Sequence, residues 1–314
     1  GSRAIRKMID DQTKQLQPII RDMDVRDELI KNMGRYLHTS YEIFKNSKWR
    51  VSKQDYARGV DYFMNLLRTT SFFKGARKGT HLYNRMLVEA NQKVNYILGL
   101  ANEVEHNNSD LLYFYSRSLF FQGIFLENDK IKKDSLFLKG AEIGEYSVLN
   151  DSLFKSILNE TKGDSDFKIL SALSIAPKEL VPGMYWWATN KLWYLNNKPA
   201  LERVNHRELL EIIMHRIISL EPDYLYGGPY RFFGIFYSRI PGVEITQSKN
   251  YFEKAIGSHA NYFGNKVQMS EFYHQKAENR DVFHNQLQSI INIDITINPE
   301  IIPENIFYQK RAVD

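Results

Sequence analysis

Apolar residues recur at spacings of three and four along most of the chain, which is the period of an amphipathic helix. The clearest stretch covers 209–220, and 85–104 repeats the same spacing. Short polar connectors, such as 127–129 and 162–164, separate the periodic stretches. The pattern predicts helices at 85–104, 110–126, 134–149, 150–159, 183–196, 209–220, 228–239, 247–257, 261–277 and 280–292.

The ends of one helix can be predicted from local signals. Asn205 and Glu208 stand three apart, a capping-box spacing that predicts a helix start before the apolar run, and Pro222 predicts its end. Only 291–297 alternates like a strand, and a lone strand cannot build a sheet, so we expect an extended connector there. The predicted fold class is all-α, built from stacked antiparallel helix hairpins.

The regularity of the helical pattern divides the chain into three regions. Residues 1–2, Gly-Ser, resemble a scar left by an expression vector, and 3–80 is a helical but less regular region. Residues 81–314 carry the regular helical repeats. We expect 3–314 to form one continuous domain.

The helix pairs recur about every 35–45 residues, which suggests a tetratricopeptide-like solenoid. That repeat places glycine and alanine where two helices approach closely and large aromatic residues in the gaps beside them. Residues 227–260 satisfy much of the pattern, and a degenerate copy lies upstream. The predicted packing positions are Trp186, Trp193, Tyr230, Phe233, Gly234, Tyr237, Phe252 and Ala255.

Composition narrows the class of protein. The 314 residues are 43% hydrophobic and 13% aromatic, which excludes a disordered chain. The absence of cysteine excludes disulfides and cysteine-based metal or catalytic sites. The net charge of +5 is spread along the chain and does not indicate a nucleic-acid partner.

No catalytic signature appears in the sequence. A nucleophile-elbow motif, a phosphate-binding loop and a dinucleotide-binding turn are all missing, and no two of the eight histidines have helical metal-ligand spacing. A hydrolase on this scaffold would need a carboxylate pair, and the nearest candidates, Glu103/Glu105 and Asp164/Asp166, fit solvated positions better. We therefore expect a protein that is not an enzyme, with no metal and no cofactor.

One aromatic cluster is unusual. Three of the four tryptophans fall within 186–193. On a helix, Trp186 and Trp193 share one face, and Trp187 and Tyr194 share a face about 100° away. We expect the first face to pack and the second to line a groove for a peptide or an apolar ligand, although packing of both faces is an open alternative.

Several segments, read together, resemble a known family. Residues 227–262 (GGPYRFFGIFYSRIPGVEITQSKNYFEKAIGSHANY) are similar to the T component of tripartite ATP-independent periplasmic (TRAP) transporters. The similarity continues through 266–273 and 279–283, and upstream through 139–141 and Ala176-Pro177 with Tyr185-Trp186. It spans roughly 85–311, and the loop after Gly242 departs from it by lacking a second glycine-rich element.

The resemblance implies an all-helical, tetratricopeptide-like periplasmic lipoprotein. It further implies docking to the substrate-binding P component of a TRAP transporter and transfer of a ligand, with a hydrophobic ligand as the candidate. It also implies a homo-oligomer, with a trimer as the candidate. The lipid-bearing cysteine would have preceded Gly1, so attachment to a bacterial membrane would run only through that anchor.

By analogy with tetratricopeptide grooves, residues one position after the packing aromatics would line a partner or ligand groove. The mixture of aromatic and cationic side chains suits an acidic or amphipathic partner segment. The expected groove residues are Trp187, Lys191, Tyr194, Arg231, Ile235, Arg239, Glu271 and His274. An alternative function remains open, a glycan- or small-ligand-binding helical lipoprotein whose tryptophans stack on sugar rings.

Overall fold

The computed structural model of the protein describes residues 109–295 and 301–313, and these residues form an all-α fold with no strand among them. The helices are α1 Ser109–Phe121, α2 Lys130–Leu149, α3 Ser152–Glu160, α4 Ser165–Ser174, α5 Val181–Leu195, α6 Ala200–Asn205, α7 Arg207–Leu220, α8 Tyr224–Arg239, α9 Ile245–Ser258, α10 Phe263–Met269, α11 Arg280–Ile291 and α12 Ile302–Val313.

Short segments of other helical types extend this framework. The π-helical turns Gln122–Leu126 and Ser270–His274 continue α1 and α10, and the 3₁₀ turn Lys178–Leu180 leads into α5. The predicted helix at 85–104 and the regions 1–2 and 3–80 lie outside the described residues. Among the helices that are described, none is long and apolar enough to cross a membrane.

Aspartate caps begin three consecutive helices. The carboxylates of Asp129, Asp151 and Asp164 accept hydrogen bonds from backbone N–H groups in the first turns of α2, α3 and α4, at 2.9, 2.8 and 3.1 Å. Each cap satisfies a donor that would otherwise lack a partner within the helix. The polar connectors therefore fix where these helices begin.

The capping box predicted at Asn205 and Glu208 is wrong. Asn205 is the last residue of a short extra helix, α6, and α7 begins at Arg207 directly after His206, which makes no side-chain cap. Pro199 precedes α6, where proline's fixed φ favours helix initiation, so helical structure starts earlier than the apolar pattern suggests. The end of α7 at Leu220 agrees with the stop predicted from Pro222.

Helices α2 and α5 approach closely because α2 presents glycine. A Cβ atom on Gly144 would lie 2.7 Å from the Cα of Trp187, and one on Gly140 would lie 2.5 Å from the side-chain oxygen of Asn190. The buried Asn190 amide donates to the carbonyl and hydroxyl oxygens of Ser116 on α1, both at 3.1 Å. These contacts join α1, α2 and α5 into one layer.

Helices α8 and α9 form a hairpin with the same small-against-large packing. A Cβ on Gly234 would lie 2.6 Å from the ring of Phe252, and one on Gly227 would lie 3.1 Å from the backbone of Ala255. The Ser248 hydroxyl donates to the Gly234 carbonyl oxygen at 2.6 Å. The arrangement of such hairpins into a tetratricopeptide-like solenoid stays a prediction.

The C-terminal helix α12 returns to pack on α10. The Asn305 side chain accepts a hydrogen bond from the backbone N–H of Phe263 at 2.9 Å and donates to the carbonyl of Asn261 at 2.9 Å. These two hydrogen bonds help to hold α12 where its residues Glu304 and Tyr308 lie opposite α1 and α8, around the cavity between these helices.

Candidate functional site

Helix α5 is buried on nearly every side, and its two tryptophan faces have different neighbours. Trp187 is 2% exposed and packs on the glycine face of α2. Trp186 and Trp193 point the other way, where their rings meet Phe120 of α1 at centroid distances of 5.4 and 6.4 Å. Trp187 therefore lies in the core, and Trp186 and Trp193 both pack against α1 and face the cavity described next.

A cavity lies on the Trp186 side of α5. The space between its walls, with the open solvent at its mouth included, is about 690 Å³. Its walls come from α1 and the π turn after it, α5, α8, α10 and α12. Aromatic rings supply most of the lining: Phe120, Phe121, Phe125, Tyr185, Trp186, Trp193, Tyr226, Phe232, Tyr262 and Tyr308.

Arg231 brings a buried positive charge to this cavity. The residue is 8% exposed, and its guanidinium lies 4.5 Å from the centre of the Tyr262 ring, a cation–π contact. It donates hydrogen bonds to Asn265 Oδ1 at 2.7 Å and to the carbonyl oxygens of Tyr226 and Leu225 at 3.2 and 3.4 Å. Within the part of the chain that the structure describes, no carboxylate forms an ion pair with Arg231.

The carbonyls that Arg231 holds belong to a left-handed turn. Leu225, Tyr226 and Gly227 have φ values of 49°, 61° and 71° at the start of α8. This conformation is unfavourable for leucine and tyrosine and persists only where surrounding contacts fix it. Arg231 and Asn265 supply those contacts, and Leu225 and Tyr226 line the cavity as a result.

Two neutral polar side chains also line the cavity and have atoms without a hydrogen-bond partner among the described residues. They are the Thr189 hydroxyl on α5 and the Gln268 amide oxygen on α10. Both residues are buried. A buried polar atom without a hydrogen-bond partner costs free energy, and a ligand with matching polar atoms would recover it.

Two buried tyrosines of the cavity, Tyr262 and Tyr308, stay neutral. Burial raises the pKa of Tyr262 well above its usual value and raises that of Tyr308 to about 12. The pKa of Arg231 also lies above its ordinary value, because burial, which lowers it, is outweighed by the neighbouring tyrosines, Tyr262 first. Arg231 therefore carries its charge among neutral phenols at physiological pH.

The described residues contain no group of histidine, aspartate and glutamate side chains that could hold a metal ion. The arrangement around Arg231 is that of a binding cavity, with apolar walls and a few convergent polar groups.

The family model for the TRAP transporter T-component (TAtT) matches residues 126–314, more than half of the chain. The chain belongs to the TRAP transporter T-component family. A search of curated proteins finds no match to it. T-components are periplasmic accessory proteins of TRAP transport and are not a known enzyme family. The matched residues include α5, α8, α10 and α12, which supply most of the cavity walls in this T-component.

The structure does not bring the eight expected groove residues of this T-component together. Arg231 and Ile235 line the cavity. Trp187 lies in the core against α2, because glycines on α2 let the two backbones approach. Lys191 and Tyr194 are half-buried and outside the cavity lining, with the Lys191 ammonium 5.8 Å from the Tyr194 ring.

The remaining three lie elsewhere. Arg239 is exposed and donates to the carbonyl of Asn196 at 3.0 Å. Glu271 pairs with Arg311 of α12, and His274 is buried with its Nε2 2.8 Å from Gln286 of α11. The cause is that the π turn after α10 directs both residues towards the C-terminal helices.

The expected packing residues divide between two roles. Phe233, Gly234, Phe252 and Ala255 are buried at the α8–α9 contact, and Phe233 stacks on Tyr237 at 5.1 Å. Tyr230 is half-buried, 6.4 Å from Tyr251. Trp186 and Trp193 line the cavity instead of only filling an inter-helix gap.

Sequence reasoning missed the cavity residues contributed by helices distant in sequence. Phe120, Phe121 and Phe125 follow α1 into its π turn, and Tyr262 and Tyr308 come from the C-terminal third. The spacing of aromatic residues in 113–125 was a signal of a second aromatic face. Nothing in the local pattern indicates that α12 returns to meet it.

Proposed function

We propose that this T-component is a non-enzymatic periplasmic accessory protein that docks the substrate-binding P component of a TRAP transporter and passes ligand through its aromatic cavity. Family membership supports the transport role. The observation that carries the ligand step is the cavity walled by aromatic rings around the buried Arg231.

The cavity suits a ligand with a substantial apolar part. Trp186, Trp193 and Phe120 form one aromatic wall, with ring contacts of 5.4 and 6.4 Å that hold it in shape. Aromatic side chains gain free energy by covering apolar surface and lose little side-chain entropy when they are already packed. A ligand that covers this wall would exclude water from both tryptophans.

A brominated alcohol tests the ligand step, because bromine quenches tryptophan fluorescence on contact. We expect bromodecanol to quench the wild-type protein, and the double variant Trp186→Phe/Trp193→Phe to lose most of that quenching. Trp187→Phe is the matched control, since Trp187 is adjacent in sequence but packs on α2. Equal quenching of the double variant and the wild type would contradict a ligand site at this cavity.

A glycan-binding role is the second candidate, and the same wall favours it. Trp186 and Trp193 lie in one cavity with the unpaired Thr189 hydroxyl, and sugars combine an apolar face with hydroxyl groups. A panel of oligosaccharides should then change the tryptophan fluorescence. An unchanged spectrum across the panel rejects this candidate and leaves the apolar ligand.

Three further features belong to the proposal on the strength of the family resemblance. They are a homo-oligomer, with a trimer as the candidate, a lipid anchor to a bacterial membrane, and a tetratricopeptide-like stacking of the hairpins. Sedimentation equilibrium tests the first. A monomer at all concentrations would remove the oligomer from the account and leave the cavity unaffected.

A further inference from the structure

Basic side chains gather at one end of the molecule. The first turn of α2, the segment 196–203 after α5, and the last turns of α8 and α12 lie there, together with the π turn after α10. We call this surface the basic end face, and its cations are Lys130, Lys132, Lys133, Lys198, Arg203, Arg239, Lys310 and Arg311.

Direct contacts join the start of α2 to the ends of α5 and α8. Asp134 of α2 pairs with Lys198, just after α5, at 3.2 Å. Arg203 of α6 donates a hydrogen bond to the carbonyl oxygen of Arg239, the last residue of α8, at 3.0 Å. The Arg239 guanidinium in turn donates to the carbonyl oxygen of Asn196 at 3.0 Å.

A second set of contacts continues from α8 to α12 and back to α2. The Arg239 guanidinium lies 6.0 Å from the centre of the Phe272 ring in the π turn. Glu271, the residue before it, pairs with Arg311 of α12. Burial, and after it the charge of Arg311, lowers the pKa of Lys133 on α2. The cations of the basic end face therefore belong to one continuous surface.

The lysines at the start of α2 stand where a helix disfavours them. Lys130, Lys132 and Lys133 occupy its first turn, which contains no acidic residue. The N-terminal end of a helix carries a partial positive charge, so cations there cost free energy. Within the described ranges, Lys130 and Lys132 take part in no ion pair that would offset this cost. An arrangement that works against the helix indicates a role outside folding.

Most carboxylates at this end already have partners within the chain. Glu127 accepts hydrogen bonds from two backbone N–H groups before α2 at 2.9 and 3.0 Å, and Asp129 caps that helix at 2.9 Å. Asp134 and Glu271 are held in ion pairs. The basic end face therefore presents an excess of positive charge to its surroundings.

Exposed apolar side chains lie among these charges. Ile131 at the start of α2 is 82% exposed, Leu201 on α6 is 71% exposed and Val313 at the end of α12 is 65% exposed. They are the most exposed of the large apolar side chains among the described residues. Apolar groups surrounded by charged ones have the composition of a protein interface, in which the apolar groups are buried and the charges form the rim.

We infer that the P component docks on the basic end face through an acidic surface, with Ile131, Leu201 and Val313 as the apolar contacts. The inference rests on the proposed docking and assigns it to a surface of this chain. Opposite charges on the two partners speed their encounter and reject wrong partners. A second copy of this chain is disfavoured, since a two-fold interface here would bring like charges together.

Two observations favour a folded protein over a lipid surface as the partner. The guanidiniums of Arg203 and Arg239 are held by backbone carbonyl oxygens at 3.0 Å each, so their charges have fixed positions that suit fixed carboxylates. The Phe272 ring meets that of Trp193, a wall residue of the cavity, at a centroid distance of 6.0 Å. A partner on this face would lie beside that end of the cavity, as passage of ligand between two proteins requires.

Charge reversal at the start of α2 tests the inference. Lys130→Glu/Lys132→Glu should weaken the affinity for the P component of the same transporter by about tenfold or more in low salt, measured by isothermal titration calorimetry. The difference from the wild type should narrow in high salt, because salt screens exposed charges. The control is Lys155→Glu/Lys162→Glu, which makes the same change of charge at two exposed positions on and after α3.

Stability measurements separate a binding role from a structural one. Glutamates in the first turn favour a helix, so Lys130→Glu/Lys132→Glu should unfold at the same denaturant concentration as the wild type or at a higher one. Weaker docking by a variant that is at least as stable cannot come from damage to the fold. Ile131→Ser should also weaken docking, whereas Ile175→Ser, which removes another exposed apolar side chain, should leave it unchanged.

The outcomes distinguish the inference from the proposed function. If the wild-type protein and the P component form no complex, the proposed docking itself fails. If they form one and Lys130→Glu/Lys132→Glu binds as tightly as its control, docking stands and the basic end face is rejected as its site.

Two parallel measurements cover the other occupants of this face. They are binding to phosphatidylcholine vesicles that contain phosphatidylglycerol, and self-association of the chain by sedimentation equilibrium. If charge reversal abolishes either one and leaves binding of the P component unchanged, the face meets a membrane or a second copy, and the inference is overturned.

Discussion

Asn265 and Arg231 are joined by a hydrogen bond of 2.7 Å between the Asn265 Oδ1 atom and the guanidinium. The same asparagine is fully buried, and its Nδ2 group donates to the carbonyls of Tyr226, Ala255 and His259 at 3.0–3.2 Å. The pair therefore ties the left-handed turn of α8 to the end of α9 and to α10. The shape of the cavity depends on this connection.

Replacing Asn265 by alanine should lower the free energy of unfolding by about 2–4 kcal/mol, because several buried groups would lose their partner. Denaturant unfolding measures the loss. Asn250→Ala, at an exposed position on α9, is the control and should change stability little. Equal stabilities of the two variants would show that the Asn265 bonds do not hold the turn.

Gly144→Ala should lower the free energy of unfolding by about 1–3 kcal/mol, because the new methyl group would meet the backbone of α5, which cannot move aside. Gly257→Ala on α9 has open space around it and should instead raise stability by up to about 1 kcal/mol through helix propensity. Thermal and denaturant unfolding compare the two. A Gly144→Ala protein as stable as wild type would contradict the close packing of α2 on α5.

Thr189→Val should raise the free energy of unfolding by about 1 kcal/mol while weakening ligands that carry a polar group, because it removes an unpaired buried hydroxyl of similar volume. Thr161→Val provides the contrast. Its hydroxyl donates to the carbonyl of Ile157 at 2.8 Å, so its loss should lower stability. Destabilisation by both substitutions would mean that the Thr189 hydroxyl has a hydrogen-bond partner in the folded protein.

His274 should make the protein less stable in mild acid. Burial lowers its pKa, and the hydrogen bond with Gln286 opposes that shift only in part. Because the folded pKa lies below the unfolded one, the unfolded state takes up the proton first as the pH falls through the usual histidine range. The stability present at neutral pH is therefore lost towards lower pH.

The loss is measured as the change in the free energy of unfolding between pH 7 and pH 5. It should be smaller in His274→Gln than in the wild type. Other titrating groups contribute equally to both proteins and cancel in the comparison. A His274→Gln protein with the pH dependence of the wild type would refute the burial argument.

The helices could be predicted from the sequence where the apolar period is regular. The predicted segments 183–196, 209–220 and 280–292 differ from α5, α7 and α11 by two residues or fewer at each end. Helices α4 and α6 were missed: α4 follows a polar loop capped by Asp164, and α6 is only six residues long. Such short helices depend on caps and on tertiary contacts more than on periodicity.

The cavity could be predicted only in part. Arg231 and Ile235 were placed on a binding surface by the repeat analogy, and the structure puts both in the cavity lining. The groove was assigned to the Trp187 face of α5 rather than to the Trp186 face, because helical spacing shows which residues share a face but not which neighbour each face meets. Gly144 on α2 lets the backbone at Trp187 approach that helix, and it lies about 40 residues away in sequence.

Sedimentation velocity of the two purified proteins measures docking to the P component. We expect a faster-sedimenting complex at micromolar concentrations when this T-component is mixed with the P component of its own transporter, and none with an unrelated periplasmic binding protein. Independent sedimentation of the two cognate proteins at tens of micromolar would show that they do not dock.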